Sequence, residues 1–288
     1  VKKLLILGCS FSQGSFGENL AWAEGKSSPD PKFQFLQRSP KILEDGSSFY
    51  EDIIKDSLGW YHFVDMIKEF ETTVFSFPGN GYSMWAQFLN IMADVGKLDE
   101  YDSIIIQESW EPRTCFCDIL QLEEYVKNDF ITISKNIDNI TRSVPVINNI
   151  ENSWKMGPRH LTGLLMVPEG IEKIKMRESL KRAFKQTLLS PLHDLITEAS
   201  ARYIDNICKK YNINGYVFSI WRPFYNFVNI TRIKLDIDLF SSKDKTLYKH
   251  LYHRGLLTHP NTDNVHQTLE GNKEIGRLIN EKSFNIRM

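Results

Sequence analysis

Three short stretches of this 288-residue chain carry residue types that do chemistry. The first is Gly8-Cys9-Ser10-Phe11-Ser12-Gln13-Gly14. Glycines on both sides allow a tight turn, and a serine on such a turn presents its Oγ to a cleft. No Gly-Lys-Ser/Thr ending follows, which sets the stretch apart from a phosphate-cradling P-loop. The second is Asp263-Asn264-Val265-His266. A serine hydroxyl is a poor nucleophile until a base takes its proton, and an imidazole near neutrality suits that task. The imidazole in turn needs a carboxylate to fix its tautomer and stabilise its cation. The spacing of Asp263 and His266 puts both on one turn, so that the carboxylate reaches Nδ1 while Nε2 faces the serine. The third is Pro78-Gly79-Asn80-Gly81-Tyr82-Ser83, where a glycine amide can serve as an oxyanion donor. Each stretch alone has an ordinary account as a connecting loop, an acid-favoured helix start or a glycine-rich turn. Only the combination points to acyl transfer.

Such groups must be held by a frame, and the hydrophobic pattern supplies one. Leu4 to Leu7 is a continuous apolar run closed by Gly8, the pattern of a strand buried on both faces. Thr72 to Phe77 and Ser103 to Gln107 read as second and third strands. Val144 to Ile150 and Tyr216 to Ile220 read as a fourth and a fifth. Between them, Leu58 to Phe70 has apolar residues at 60, 63, 64, 67 and 70, and Tyr82 to Val95 has Trp85, Phe88, Leu89 and Met92 on one face. Both spacings predict helices. Ile171 to Lys210 is helical in composition and divided by Pro191, and Thr268 to Asn280 predicts a closing helix. The β-α-β-α order implies a parallel sheet with right-handed crossovers. In such sheets ligands bind beyond the carboxyl ends of the strands, where all three stretches fall. The expected architecture is one α/β domain over residues 1–288, with insertions at about 14–50, 111–213 and 222–257.

Taken in this order, the three stretches resemble the SGNH hydrolase superfamily, the GDSL-type esterases and lipases, in a Gly-Cys-Ser-Phe variant. The family's first block is Gly-Asp-Ser-x-Ser/Thr-x-Gly, and the match lays its nucleophile on Ser10. Its second-block glycine falls on Gly81, with Gly79 as the alternative. Its Asp-x-x-His block falls on Asp263 and His266, and Gly271 fits the glycine often found after that histidine. The resemblance implies a three-layer α/β/α flavodoxin-like fold around a parallel sheet of about five strands. It implies a Ser-His-Asp triad with an oxyanion hole from the amides of Ser10 and Gly81. Two departures stand out. Cys9 replaces the aspartate before the nucleophile. The third block, Gly-x-Asn-Asp in the family, is here Gln107-Glu108-Ser109-Trp110-Glu111-Pro112-Arg113, with no asparagine. Ser109, Gln107 or Asn80 is then left to supply a side-chain donor.

Composition bounds the remaining readings. Hydrophobic residues at 42% and charged residues at 25% are those of a globular chain. A net charge of -1 gives no electrostatic reason to expect nucleic acid or an anionic membrane as partner. Cys9, Cys115, Cys117 and Cys208 do not form a disulfide or zinc pattern and read as thiols. The N-terminal apolar run stops at Gly8, short of a signal-peptide core, and no stretch approaches the roughly 18 apolar residues of a membrane helix. The expectation is a cytoplasmic protein. His250, His253, His259, Asp263 and His266 are dense enough to weigh a metal hydrolase, but their spacing matches no helical ligand pair and leaves Ser10 unexplained. The expected function is an esterase without metal or cofactor, removing a short acyl group such as O-acetyl from a glycan or other small ester. Trp22, Trp110, Trp154 and Trp221 are candidate sugar-stacking faces, and Arg113 and Arg222 candidate partners for an acidic substituent. The alternatives are a binding module that keeps the fold with a degraded site, and a lysophospholipase or thioesterase.

Overall fold

The computed structural model describes residues 1–12, 58–76, 81–108, 123, 126–127, 140–143, 182, 186, 191–223, 225–235, 246–258 and 266–283. Five strands and a two-residue sixth make one sheet. They are β1 (Lys2–Gly8), β2 (Phe70–Ser76), β3 (Ser103–Glu108), β4 (Ile140–Ser143), β5 (Asn214–Ser219) and β6 (Thr231–Arg232). Their order is β4-β2-β1-β3-β5-β6, and every neighbouring pair runs parallel. The chain leaves β1 for β2 on one side and then returns to β3 on the other. That reversal opens a crevice beyond the carboxyl ends of β1 and β3, the usual ligand position in such sheets.

The unbroken apolar runs explain the burial. Leu4, Leu5, Ile6 and Leu7 are all fully buried, because successive side chains point to opposite faces and both faces are covered. Leu5, Leu7, Phe75, Ile104, Ile106 and Val217 pack beneath α1 (Tyr82–Asp94) and α2 (Pro191–Lys210). Leu4, Ile6, Val74, Ile105 and Phe218 pack on the other face. There they meet the 3-10 helices Trp60–Phe63 and Asp65–Glu69, then α3 (Leu247–His253) and α4 (Leu269–Ser283). The result is a three-layer α/β fold built on the parallel sheet expected from the strand and helix pattern. A short antiparallel ribbon, β7 (Leu257–Thr258) with β8 (His266–Gln267), leads into α4.

One expectation about the elements is corrected. Residues 58–70 form no α-helix: Val64 is extended (φ -103°, ψ 113°) and splits the segment into two 3-10 helices, and Phe70 already belongs to β2. A strand not expected, β4, lies at Ile140–Ser143, and the expected strand at 144–150 lies outside the described residues. Among the described residues β4 pairs with β2 alone, and an edge position there does not demand the apolar run of a central strand. The expected insertion 222–257 contains β6, α3 and the start of β7. Among the described residues no helix is long and apolar enough to cross a membrane.

Candidate functional site

β1 delivers the chain into a turn that its own sequence makes tight. After Gly8 and Cys9, residues Ser10–Ser12 form a single 3-10 turn, closed by the Ser12 amide donating to the Cys9 carbonyl at 2.8 Å. A β-carbon on Gly8 would collide with the Ser12 side chain, so glycine is required for the close approach rather than for an unusual φ. Cys9 and Ser12 are fully buried, and Phe11 nearly so. The side chain of buried Gln107, on β3, braces the turn. Its Oε1 accepts from Ser12 Oγ at 3.0 Å and from Cys9 Sγ at 3.4 Å, while Nε2 donates to the Glu108 carbonyl at 3.0 Å. Trp60 Nε1 donates to Ser12 Oγ at 3.1 Å. Cys9 and Ser12, on either side of Ser10, are thereby fixed.

The far end of the chain closes on the same turn. Gln267 of β8 is fully buried, and its Nε2 donates to the carbonyl of Phe11 and to Asn272 Oδ1. Asn272 Nδ2 donates to the Leu58 carbonyl at 3.0 Å. Ser10 and His266 are therefore the chain neighbours of two residues in direct contact, Phe11 and Gln267. Gly271 has its own reason for being small: a β-carbon there would stand 2.5 Å from the Leu256 carbonyl oxygen, where the first turn of α4 crosses the ribbon. Trp221 meets the turn from a third side, edge-on to Phe11 with ring centroids 5.0 Å apart, and stacks on Tyr248.

Gly81 is the buried N-cap of α1, in extended backbone, and its carbonyl accepts from the amides of Met84 and Trp85. The next residue, Tyr82, donates its hydroxyl to Glu108 Oε1. Glu108 ends β3 and is 1% exposed. Its Oε2 accepts from Ser219 Oγ and from Arg232 Nη1, the latter at 2.9 Å. Arg232 also donates to Ser219 Oγ at 2.6 Å and to the Tyr225 carbonyl at 2.7 Å. Burial, followed by the charge of Glu108, holds the Tyr82 phenol well above its usual range, so the hydroxyl stays a donor. Sequence reasoning did not single out Glu108, Tyr82, Ser219 or Arg232. A signal for one of them existed: a carboxylate closing the run Ile104-Ile105-Ile106 must have a partner, because an unpaired buried charge is too costly. Arg232 lies in a segment without periodicity and gave none.

Arg222 is exposed on the surface after β5. Asp263, Gly79, Asn80, Ser109, Trp110, Arg113, Trp22, Trp154 and His259 lie outside the described residues. The ring Nε2 of His250 bonds Glu274 Oε1 at 2.7 Å. The same carboxylate pairs with Arg254 at 2.5 Å and Arg277 at 2.7 Å. Arg277 foremost, opposed by burial and aided by His250 and Arg254, pulls the Glu274 carboxyl down to about 2. Among the described residues no three His, Cys, Asp or Glu side chains are grouped to hold a metal ion. A shallow groove of about 380 Å³ lies between α1 and α2, lined by Ser83, Asn90, Ile196 and Tyr203. It is on the helical face, away from the turn that carries Ser10.

The chemistry open to this arrangement follows from its parts: a serine on a braced turn, a histidine segment docked beside it, and a helix N-terminus nearby. No protein-family model, no curated protein and no solved structure matches the chain.

Proposed function

We propose that this protein is a serine ester hydrolase of the SGNH type, with Ser10 as nucleophile, His266 as base and Asp263 as the carboxylate that orients it. The observation that carries the reading is the bond from Gln267 to the Phe11 carbonyl. It ties the histidine-bearing segment to the serine-bearing turn at the carboxyl ends of β1 and β3. In the reaction, Ser10 Oγ attacks the ester carbonyl as His266 takes its proton. The amides of Ser10 and Gly81 stabilise the oxyanion. Collapse breaks the bond to the leaving oxygen, which His266 protonates, so the alcohol departs and an acyl-serine remains. Water then attacks the acyl carbon, gives its proton to His266, and the acid leaves as Ser10 recovers its hydrogen. The preferred substrate is a short acyl group, O-acetyl, on a carbohydrate, and the aromatic wall of Trp221 beside the turn suits a sugar face. The reading needs no metal or cofactor, and activity should survive a chelator.

Turnover of p-nitrophenyl acetate tests the assignment. Ser10→Ala should lower kcat by at least about 10³-fold; near-parental turnover in that variant would rule out Ser10 as nucleophile. One observation favours a second reading, a binding module with a degraded site. β3 ends in Gln107-Glu108, whose side chains are engaged internally, where the family carries its oxyanion asparagine. A fluorophosphonate probe separates the two, since only an activated Ser10 is labelled in folded protein.

A further inference from the structure

We propose that Glu108 is a positioning residue: through the hydroxyl of Tyr82 it fixes where the Gly81 amide stands relative to the Ser10 turn. This rests on the hydrolase reading, in which Gly81 is an oxyanion donor. Gln107 and Glu108 are successive strand residues and point to opposite faces of the sheet. Gln107 reaches the face of Trp60 and grips the Ser10 turn through Ser12 and Cys9. Glu108 reaches the face of α1 and grips Tyr82, the residue directly after Gly81. One strand end therefore sets both halves of the oxyanion site, the serine turn from one side and the helix head from the other.

The composition of the cluster supports a role beyond stability. An apolar residue at a fully buried strand end is usually as stabilising as an ion pair, because desolvating two charges offsets their attraction. Here a carboxylate is retained, and α1, β5 and β6 all send donors to it: Tyr82, Ser219 and Arg232. Arg232 and Ser219 hold the carboxylate from the β5 side, which leaves Oε1 aimed at Tyr82. A tyrosine hydroxyl on a carboxylate so fixed has one place to be, and the helix start moves with it.

The test is steady-state kinetics with p-nitrophenyl acetate on Tyr82→Phe and Glu108→Gln, with Tyr101→Phe as control. Tyr101 is a buried tyrosine that bonds Thr73 Oγ1 at 3.1 Å, remote from the turn. A displaced oxyanion donor should lower kcat by about 10–100-fold with KM within about threefold, while the control keeps its kcat. Tyr82→Phe removes a single oxygen and decides the matter even where Glu108→Gln does not fold. In the same proteins the Gly81 amide should exchange hydrogen faster in Tyr82→Phe than in the parent. Unchanged kcat in Tyr82→Phe, or a change in KM alone, overturns the proposal. If the parent itself does not turn over the ester, the hydrolase reading fails separately. Gly81 exchange then decides whether Glu108 and Tyr82 hold the helix head: unaltered protection overturns it, and faster exchange sustains it.

Discussion

Replacing Ser12 by alanine should be unusually costly for the loss of one oxygen. Ser12 is fully buried, and its Oγ is at once a donor to Gln107 and the acceptor for the indole of Trp60. Removing it strands the Trp60 N–H in a fully buried setting. An orphaned buried donor costs about 1–3 kcal/mol, and the lost neutral bond to Gln107 about 1 kcal/mol more. Gln107 Oε1 keeps only the weak thiol donor of Cys9 at 3.4 Å. The expected loss is therefore about 2–4 kcal/mol, a fall in Tm of roughly 3–7 °C for a domain of this size. Urea unfolding of Ser12→Ala, Trp60→Phe and the double variant measures it. Once the indole N–H is absent, losing its acceptor should cost less. The double variant should thus be more stable than additivity predicts, by about 1 kcal/mol or more. A Ser12→Ala variant within about 0.5 kcal/mol of the parent, or strict additivity, would refute the brace as drawn.

Four further outcomes follow from the same structure. Glu274→Gln should destabilise the fold by about 1.5–3 kcal/mol near neutrality, because it weakens charged bonds from Arg277, Arg254 and His250. Since the folded carboxyl lies at about 2 against an ordinary 4.5, its contribution is complete above about pH 4.5 and fades as pH falls towards 2. Unfolding measured across that window should show parent and variant converging; a gap independent of pH would contradict the assignment. Asp205→Ala should cost about 2–4 kcal/mol, because the carboxylate accepts from the amides of Val228, Asn229 and Ile230 at 3.1, 2.8 and 3.0 Å; an effect below about 0.5 kcal/mol in thermal unfolding would count against that. Gly271→Ala should destabilise by about 1–3 kcal/mol through overpacking against the Leu256 carbonyl, and a neutral or stabilising result in the same assay would show that α4 can shift. Cys208, on the buried side of α2 with its thiol pushed up to about 12 by burial, should resist iodoacetamide in the native state near pH 8, and rapid alkylation seen by mass spectrometry would place it at the surface.

Burial on both faces made the central strands legible in the sequence. Leu4–Leu7, Ile104–Ile106 and Tyr216–Phe218 are continuous apolar runs because β1, β3 and β5 are covered above and below. The same logic misread 58–70. Apolar spacing of three and four residues serves a 3-10 helix as well as an α-helix, and extended Val64 decides between them. β4, β6 and the β7–β8 ribbon were illegible as strands, since strands of two to four residues leave no periodicity to detect. At the site, the Ser10 turn announced itself through Gly8, whose missing side chain makes room for Ser12. Its brace did not, because Gln107 and Trp60 become partners of Ser12 only through sheet register and layer packing. The Glu108 cluster was hidden for the same reason: Tyr82, Ser219 and Arg232 come from three separated segments.

The contact between Gln267 and Phe11 joins residues separated by 256 positions. On the ribosome the Ser10 turn is made well before the partner that seals it. A central β1 compounds the delay, since its neighbours β2 and β3 begin at residues 70 and 103, and non-local parallel pairing is slow to form. Through that interval the chain must carry an apolar strand and an unfinished turn without their final cover. That is the state in which exposed strand edges invite misassembly. The order of manufacture is opposite to the order of completion, and any capacity the turn confers is acquired only when Gln267 reaches Phe11.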